Sequence, residues 1–267
     1  MKADLHTHTT FSDGKYSVKE ILSQVQNIGL DYLSITDHDT FEGNRLAYNI
    51  SLLPQIIIGI ELSTYHNDES VHILGYFKNW QDASKLEAHL QKQIQTRIKR
   101  AHQLIKNLEI FYGLKLDISF LDDLNSITRA SIARAMIKQK LASSYEEIFT
   151  KYLGDDCPAY IPSSHFPTKE GIKLIKNSGG LAVLAHPMEL NKNNPLEIIK
   201  LGVDGLEAIY SNRKEVEAYY RKMAFDNKLF VTAGSDFHYY NDNQHSNLGD
   251  TYLEGEDLKI FLDKLYG

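Results

Sequence analysis

The stretch Asp4-Leu5-His6-Thr7-His8-Thr9 places two histidines two positions apart, directly after a short apolar segment. In an extended strand, residues i and i+2 point to the same side, so the imidazoles of His6 and His8 reach toward one point. Imidazole is a common metal ligand in proteins. The stretch therefore predicts a first β-strand that ends in half of a metal site, provided that later strands bring further ligands to the same place.

Composition limits the class of protein. The chain has 267 residues, of which 42% are hydrophobic and 24% charged, as is typical of a globular protein. Its formal net charge of -6 argues against duplex DNA as a partner, although bound cations would reverse the sign locally for an anionic substrate. The single cysteine, Cys157, excludes an internal disulfide framework and a thiolate cluster. No leader or membrane-spanning run is apparent, so we expect a cytoplasmic protein without a membrane partner.

Strand and helix patterns alternate along most of the chain. Ser17 to Glu20 forms a capping box that begins the first helix, and Gly29 ends that helix. Seven apolar segments predict strands, at residues 3–6, 32–36, 55–61, 71–77, 181–185, 205–210 and 229–234. Helices follow most of these strands. This alternation predicts an α/β fold with a parallel sheet closed into a barrel.

Residues 82–166 interrupt this alternation. Apolar residues at spacings of three and four between positions 86 and 108 predict a long amphipathic helix, and nothing in this segment resembles a βα unit. We expect a discontinuous barrel domain, residues 1–81 and 167–267, and a helical insertion, residues 82–166. The charged face of the insertion is either simply solvated or part of a cap over the active site. We expect the insertion to cap the active site.

Polar residues with metal-binding side chains lie at the carboxyl ends of the predicted strands, where α/β barrels build their active sites. They are His6, His8, His38, Glu61, His186, Asp236 and His238. His72 is the exception, since it lies near the start of its predicted strand. This set is too large for one ion, and imidazoles with carboxylates suit Zn, Mn or Fe(II). We expect two or three divalent ions, bridged by Glu61 because it lies in the middle strand of the cluster.

The motifs resemble those of the polymerase-and-histidinol-phosphatase (PHP) superfamily of metal-dependent phosphoesterases. Besides the opening stretch, they are Ser-Asp-Gly at 12–14, Ile-Thr-Asp-His-Asp-Thr at 35–40, Gly-Ile-Glu-Leu-Ser at 59–63, His-Ile-Leu-Gly-Tyr-Phe at 72–77, Ala-His-Pro at 185–187 and Gly-Ser-Asp-Phe-His at 234–238. The resemblance spans nearly the whole chain. It implies a distorted seven-stranded (β/α)7 barrel with a helical insertion and a site of two or three metal ions, and it adds Asp13 to the ligands.

The resemblance also implies a substrate class. The segment at 35–40 and the insertion are similar to the stand-alone branch, whose members remove phosphate from 3′,5′-bisphosphonucleotides or trim short RNA from the 5′ end. Arg129 matches a family arginine that contacts substrate phosphate, whereas Ser131 stands where the family often has histidine. His165, at the return from the insertion to the barrel, is a further candidate for substrate contact.

Metal ions in such a cluster lower the pKa of a bound water, which would then attack phosphorus. The residues expected nearest to that water are Asp13, His38 and His238. The expected substrate is a phosphorylated small molecule or nucleotide, including short RNA. Two alternatives are a small-molecule phosphatase, such as one acting on histidinol phosphate, and a non-catalytic metal-binding module, which would lack some of the ligands.

Four further residues have either two interpretations or a single, ordinary one. Glu207 either supports the metal ligands from behind or is an ordinary polar residue at a barrel end. Tyr239 and Tyr240 either stack on a base or pack at the rim. His245 lies in a polar loop, where we expect a solvated side chain.

Overall fold

The computed structural model describes residues 1–121, 128–161, 166–209, 214–240 and 245–267. The chain divides into two compact units, residues 1–87 with 166–267, and residues 88–165. Within the described residues, no helix combines the length and the apolar character that crossing a membrane requires.

Nine strands and ten α-helices are the main elements of the described part of the chain. The strands are β1 Lys2–Thr7, β2 Tyr32–Ile35, β3 Gln55–Ile56, β4 Ile58–His66, β5 Glu69–Phe77, β6 Leu181–Leu184, β7 Gly205–Ile209, β8 Phe230–Ala233 and β9 Leu253–Glu254. The helices are α1 Val18–Ile28, α2 Glu42–Ile50, α3 Trp80–Ala83, α4 Glu87–Tyr112, α5 Arg129–Lys138, α6 Tyr145–Lys151, α7 Thr168–Asn177, α8 Pro195–Ile199, α9 Lys214–Asp226 and α10 Gly255–Tyr266. The α/β class is thereby confirmed.

Local sequence explains where the first helix begins and ends. The Ser17 hydroxyl accepts a hydrogen bond from the Glu20 amide, and the Glu20 carboxylate accepts one from the Ser17 amide at 2.7 Å. Gly29 then takes up the left-handed conformation, φ 79°, that ends the helix. The apolar face of α1, including Ile21 and Val25, is fully buried against the sheet. The expected capping box is confirmed.

The strands form two mixed sheets rather than one parallel sheet. The first has the order β3-β2-β1-β9 and the second the order β4-β5-β6-β7-β8. The predicted strand at 55–61 is divided between the two sheets as β3 and β4, and β9 pairs antiparallel to β1. Two isolated bridges link the sheets, Thr7 with Phe237 and His38 with Glu61. A closed seven-stranded barrel is not confirmed.

The expectation of a parallel sheet was wrong for β5, which pairs antiparallel with both β4 and β6. Only Asn67 and Asp68 separate β4 from β5, and both have positive φ, 40° and 60°. A two-residue turn with two positive φ angles produces an antiparallel hairpin. Because β5 therefore runs opposite to β4, the start of β5 lies at the same end as the carboxyl end of β4. This reversal explains why His72 belongs with the other candidate ligands although it lies early in its strand.

The core of the first unit is formed by fully buried side chains of both sheets and of α10. Tyr76 of β5 packs edge-on against Phe261 of α10, with ring centroids 5.2 Å apart. Its hydroxyl donates a hydrogen bond to the Leu5 carbonyl at 2.9 Å. This bond ties the interior of β5 to β1, the strand that contains His6 and is directly followed by His8.

The second unit is helical. Leu104 and Leu108 of α4 are buried in a cluster with Ile132 and Met136 of α5 and Ile148 of α6. This unit has its own core, as a separately packed segment requires. The expectation that it caps the site remains a prediction.

Candidate metal centre

Backbone pairing brings the candidate residues to one end of the sheets. The amide of Asp236 donates to the His6 carbonyl at 2.8 Å, and the amide of His8 donates to the Phe237 carbonyl at 2.9 Å. The segment that follows β8 thus runs alongside the end of β1. His38 is bridged in the same way to Glu61. These backbone contacts place the side chains of four chain segments around one buried space.

Glu61 lies at the centre of this space, and its carboxylate is 1% exposed. Its Oε1 is 3.0 Å from His72 Nδ1 and 3.1 Å from His186 Nε2. Its Oε2 faces three other imidazole nitrogens, His6 Nε2 at 3.4 Å, His8 Nε2 at 3.1 Å and His38 Nδ1 at 3.1 Å. The two oxygens therefore face two different groups of imidazoles, which is the arrangement that a bridging carboxylate needs.

Asp13 and Asp236 form the other acidic parts of the centre. Asp13 is 3.3 Å from His238 Nε2 and 3.5 Å from His38 Nε2. Asp236 Oδ1 is 3.3 Å from His6 Nε2 and 3.2 Å from His8 Nε2. All nine residues expected to bind metal thus lie in one connected cluster; their ligation of metal remains a prediction.

Glu207 supports this cluster from behind. Its carboxylate, 1% exposed, is 3.1 Å from His6 Nδ1 and accepts a hydrogen bond from the His186 amide at 2.9 Å. Glu207 is placed to accept a proton from His6 Nδ1, and in that tautomer the lone pair of Nε2 would be available to a cation in the centre. Carboxylates commonly hold metal-binding imidazoles in this way. Of the two interpretations of Glu207, the geometry favours support of the ligands.

Asp37 is a supporting residue that the sequence analysis did not single out. Its buried carboxylate accepts hydrogen bonds from the Thr9 amide and hydroxyl, both at 2.7 Å, and from the Ser12 hydroxyl at 2.6 Å. These bonds fix the turn between His8 and Asp13. The signal was present in the Thr-Asp-His motif, where Asp37 directly precedes His38.

Two residues of the cluster have unusual backbone conformations. His186 has φ 22° and Asp236 has φ 49°, in the region that side chains other than glycine rarely adopt. Such conformations cost of order 1–3 kcal/mol each and persist where the surroundings impose them, commonly at functional sites. Here they turn the chain so that both side chains point into the centre.

The carboxylates of the cluster stay ionised in spite of burial. Burial alone would raise the pKa of Glu61, but His38, His72 and His6 lower it well below the ordinary value. The pKa of Asp13 and that of Asp236 are lowered in the same way by neighbouring imidazoles, against the effect of burial. The centre therefore holds concentrated negative charge.

The negative charge of the carboxylates changes the pKa values of the neighbouring imidazoles. Burial opposes protonation of His8, yet Asp236 and Glu61 outweigh it and raise its pKa to about 10. His186 behaves similarly beside Glu61, with a pKa of about 9. His38 differs, because burial lowers its pKa to about 4. In the absence of other cations, protons on the imidazoles balance the carboxylates.

These residues fit divalent metal ions. Three groups drawn from the nine residues have donor atoms within 4.8 Å of one another, namely His6 with His8 and Glu61, His38 with Glu61 and His72, and His8 with Asp13, His38 and His238. Glu61 Oε2 is buried and, among the described residues, accepts no hydrogen bond. A buried carboxylate oxygen is costly to leave in that state, and a cation would satisfy it. The donor set, imidazole and carboxylate without thiolate, suits Zn, Mn or Fe(II).

The residues expected to bind substrate belong to the insertion. Arg129 hydrogen-bonds to Asp155 and to the Leu153 carbonyl, and its guanidinium lies 5.2 Å from the centre of the Tyr160 ring. The Ser131 hydroxyl accepts from the Thr128 amide at 2.8 Å as part of the cap of α5. His165 lies outside the described residues. A substrate contact for any of the three remains a prediction.

The paired tyrosines after His238 differ from each other. Tyr240 packs against Phe237, 4.9 Å between ring centroids, and against Tyr16, and its hydroxyl donates to Gln24. Tyr239 is 42% exposed. Of the two interpretations, packing at the rim fits Tyr240.

Comparisons with known proteins found a matching family model, related enzymes and solved structures of the same fold. The family model described as the PHP domain matches residues 4–154. A 5′-3′ exoribonuclease of Haemophilus influenzae is 30% identical over 89% of this chain and 90% of its own length. A 3′,5′-nucleoside bisphosphate phosphatase of Chromobacterium violaceum is 26% identical over 88% of this chain and 86% of its own length. The solved structure of a Bifidobacterium adolescentis protein, 24% identical, superimposes with a TM-score of 0.83 over 98% of this chain and 96% of that one, which shows a shared fold.

Proposed function

This chain belongs to the PHP family of metal-dependent phosphoesterases, and on that premise we propose that it hydrolyses phosphate esters of nucleotides. The two substrate forms that the relatives support are a 3′,5′-bisphosphonucleotide and the 5′ end of a short RNA. Both present phosphate beside a ribose and a base. The class of enzyme is a phosphoric ester hydrolase.

The observation that carries the proposal is the position of Glu61 between two groups of imidazoles. One oxygen faces His72 and His186 at 3.0 and 3.1 Å, and the other faces His8 and His38 at 3.1 Å each. We infer that the centre holds two or three divalent ions, Mn, Zn or Fe, with Glu61 as a bridging ligand. Such ions supply Lewis acidity to phosphoryl oxygens and lower the pKa of water, as phosphoester hydrolysis needs.

The chain itself orients the groups around the reacting phosphate. Glu207 fixes the ring of His6, and the hydrogen bonds from Thr9 and Ser12 to Asp37 fix the turn that carries Asp13. Held in this way, the ligand atoms need little rearrangement when substrate arrives, which favours catalysis. Asp13, His38 and His238 form one edge of the centre and are the proposed nearest groups to the attacking water.

Arg129 is the proposed phosphate clamp of the helical insertion, since a guanidinium binds phosphate through a planar fork. Its present partner, Asp155, has an exposed carboxylate, so a phosphate would compete with an ion pair that water already weakens. We expect Arg129→Ala to raise KM for a bisphosphonucleotide about tenfold or more and to leave the bound metal unchanged. Lys151→Ala, which removes an exposed cation of the same unit, is the matched control.

We also infer that the two sheets belong to one distorted barrel. The bridges of Thr7 with Phe237 and of His38 with Glu61 support this closure, because each joins a segment of the first sheet to a segment of the second.

The substrate test is a panel of hydrolysis assays on protein loaded in turn with Mn, Zn and Fe(II). It contains a 3′,5′-bisphosphonucleotide and histidinol phosphate, for which released phosphate is measured, and a 5′-phosphorylated oligoribonucleotide, for which released mononucleotide is measured as well, because cleavage of an RNA phosphodiester frees no inorganic phosphate. We expect turnover of one or both nucleotide substrates, with kcat/KM at least tenfold above that for histidinol phosphate. A preference for histidinol phosphate would contradict the proposed substrate class.

A further inference from the structure

His245 lies against the metal centre although its sequence context predicts a solvated loop. Its side chain is 18% exposed, and its ring stacks on that of His238 with centroids 4.4 Å apart and planes 26° apart. Its Nε2 is 3.6 Å from Asp236 Oδ2. The expectation of a solvated side chain was therefore wrong. Periodicity could not reveal this position, because the contacts of His245 with Asp236 and His238 are tertiary and follow no local repeat.

The carboxylate of Asp236 faces two sets of imidazoles. Oδ1 lies 3.3 and 3.2 Å from the Nε2 atoms of His6 and His8, whereas Oδ2 faces His245. One oxygen is thus committed to the interior of the centre, and the other is directed toward its outer edge. A carboxylate placed in this way can donate one oxygen to each of two cations.

The outer edge has the donor atoms of a cation site. One atom each from Asp236, His238 and His245 lies within 4.8 Å of the other two. The 3.6 Å between His245 Nε2 and Asp236 Oδ2 is longer than a hydrogen bond. Two ligands of one tetrahedral ion, each about 2.1 Å from it, are separated by about 3.4 Å. The observed spacing therefore suits two ligands of a shared ion.

We propose that His245 is an additional metal ligand, which binds, together with Asp236 Oδ2, a divalent cation at the outer edge of the centre, next to the ion proposed for Asp13 and His238. This inference rests on the metal centre of the proposed function. It adds a ligand that neither the motifs nor the strand ends indicated. It also makes Asp236 a second bridging carboxylate beside Glu61. Zn, Mn and Fe(II) are the ions that this donor set takes.

The alternative is that the His245 ring only packs on His238, and two variants separate these roles. His245→Ala removes both the ring and its nitrogen. His245→Phe keeps a ring that can stack on His238 but has no nitrogen to bind an ion. His66→Ala is the control, since His66 is a partly exposed histidine at the end of β4 that belongs to none of the metal-binding groups among the described residues.

The measurement is equilibrium dialysis of metal-free protein against Mn or Zn, with bound metal counted by mass spectrometry. Thermal melts of the metal-free variants verify that each is folded. We expect both His245 variants to bind one ion at least about tenfold more weakly than the wild type, and His66→Ala to match the wild type. If His245→Phe binds metal as tightly as the wild type, the ring only packs on His238. If His245→Ala also binds metal as tightly as the wild type, the side chain has no role in the centre. Either result overturns the inference. Failure of the wild type itself to bind metal would instead contradict the proposed function.

Discussion

Glu207 contacts two of the proposed metal ligands from behind the centre. It holds His6 Nδ1 at 3.1 Å and the His186 amide at 2.9 Å, so it controls two of the proposed ligands. We predict that Glu207→Gln weakens metal binding by about 10–100-fold, because a neutral amide accepts these hydrogen bonds less strongly than a carboxylate. Dialysis against Mn measures the change, with the exposed Glu197→Gln as the control. Equal affinity of Glu207→Gln and wild type would show that the contact has no bearing on the metal.

The pKa values of two imidazoles in the centre predict how metal binding depends on pH. In the metal-free protein, the pKa of His8 is raised to about 10 and that of His186 to about 9 by neighbouring carboxylates, which outweigh burial. Both are therefore protonated at neutral pH, and an ion must displace these protons. Affinity should rise as pH increases toward 9 and fall as pH decreases. Calorimetry at pH 7 in two buffers of different ionisation enthalpy should show release of at least one proton; no release would contradict this account.

The proposed ligands were largely predictable from the sequence at the residue scale, and their supports were not. His6, His38, Glu61 and Asp236 each end an apolar segment, which is a signal that periodicity reveals. Glu207 was left open because a carboxylate within a strand has many ordinary roles. The solvated side chain expected for His245 was wrong, because no local sequence pattern indicates the tertiary contacts of a loop residue.

The β4–β5 hairpin is the element that places His72 in the centre. Asn67 and Asp68 both have positive φ, and pairing of Ser63 with His72 follows from that turn. We predict that Asp68→Val destabilises the protein by about 1–2 kcal/mol, since a β-branched residue tolerates the left-handed conformation poorly. Asp68→Gly should be neutral or stabilising. Urea unfolding of both variants measures this, and equal midpoints would contradict the assigned turn.

Sequence patterns located the elements better than their directions. The strand at 71–77 was predicted, but its antiparallel pairing was not, because βα alternation elsewhere favoured a parallel sheet. The predicted strand ended at Glu61, which left a long connection to the next strand. In the structure β4 continues to His66, so that only two residues connect it to β5. The β9 pairing with β1 was missed as well, since two residues are too few for any periodicity.

At the scale of the whole molecule, the charge pattern agrees with the proposed chemistry. The formal net charge is -6, and ionised carboxylates are concentrated in a centre that would meet an anionic substrate. Without metal ions, protons on the imidazoles balance these carboxylates, which leaves little positive charge to hold a phosphate. Bound divalent ions supply that charge, so metal binding and substrate binding are expected to depend on each other. The family assignment and the geometry of the site thus support the same requirement for metal.

Activity after metal removal tests this central claim most directly. Wild-type protein is stripped with a chelator, dialysed, and assayed for hydrolysis of the nucleotide substrates before and after addition of Mn, with His8→Ala as the matched variant. We predict that the stripped protein is inactive, that Mn restores its activity, and that His8→Ala stays inactive in both states. Full activity of the stripped wild type would contradict the account.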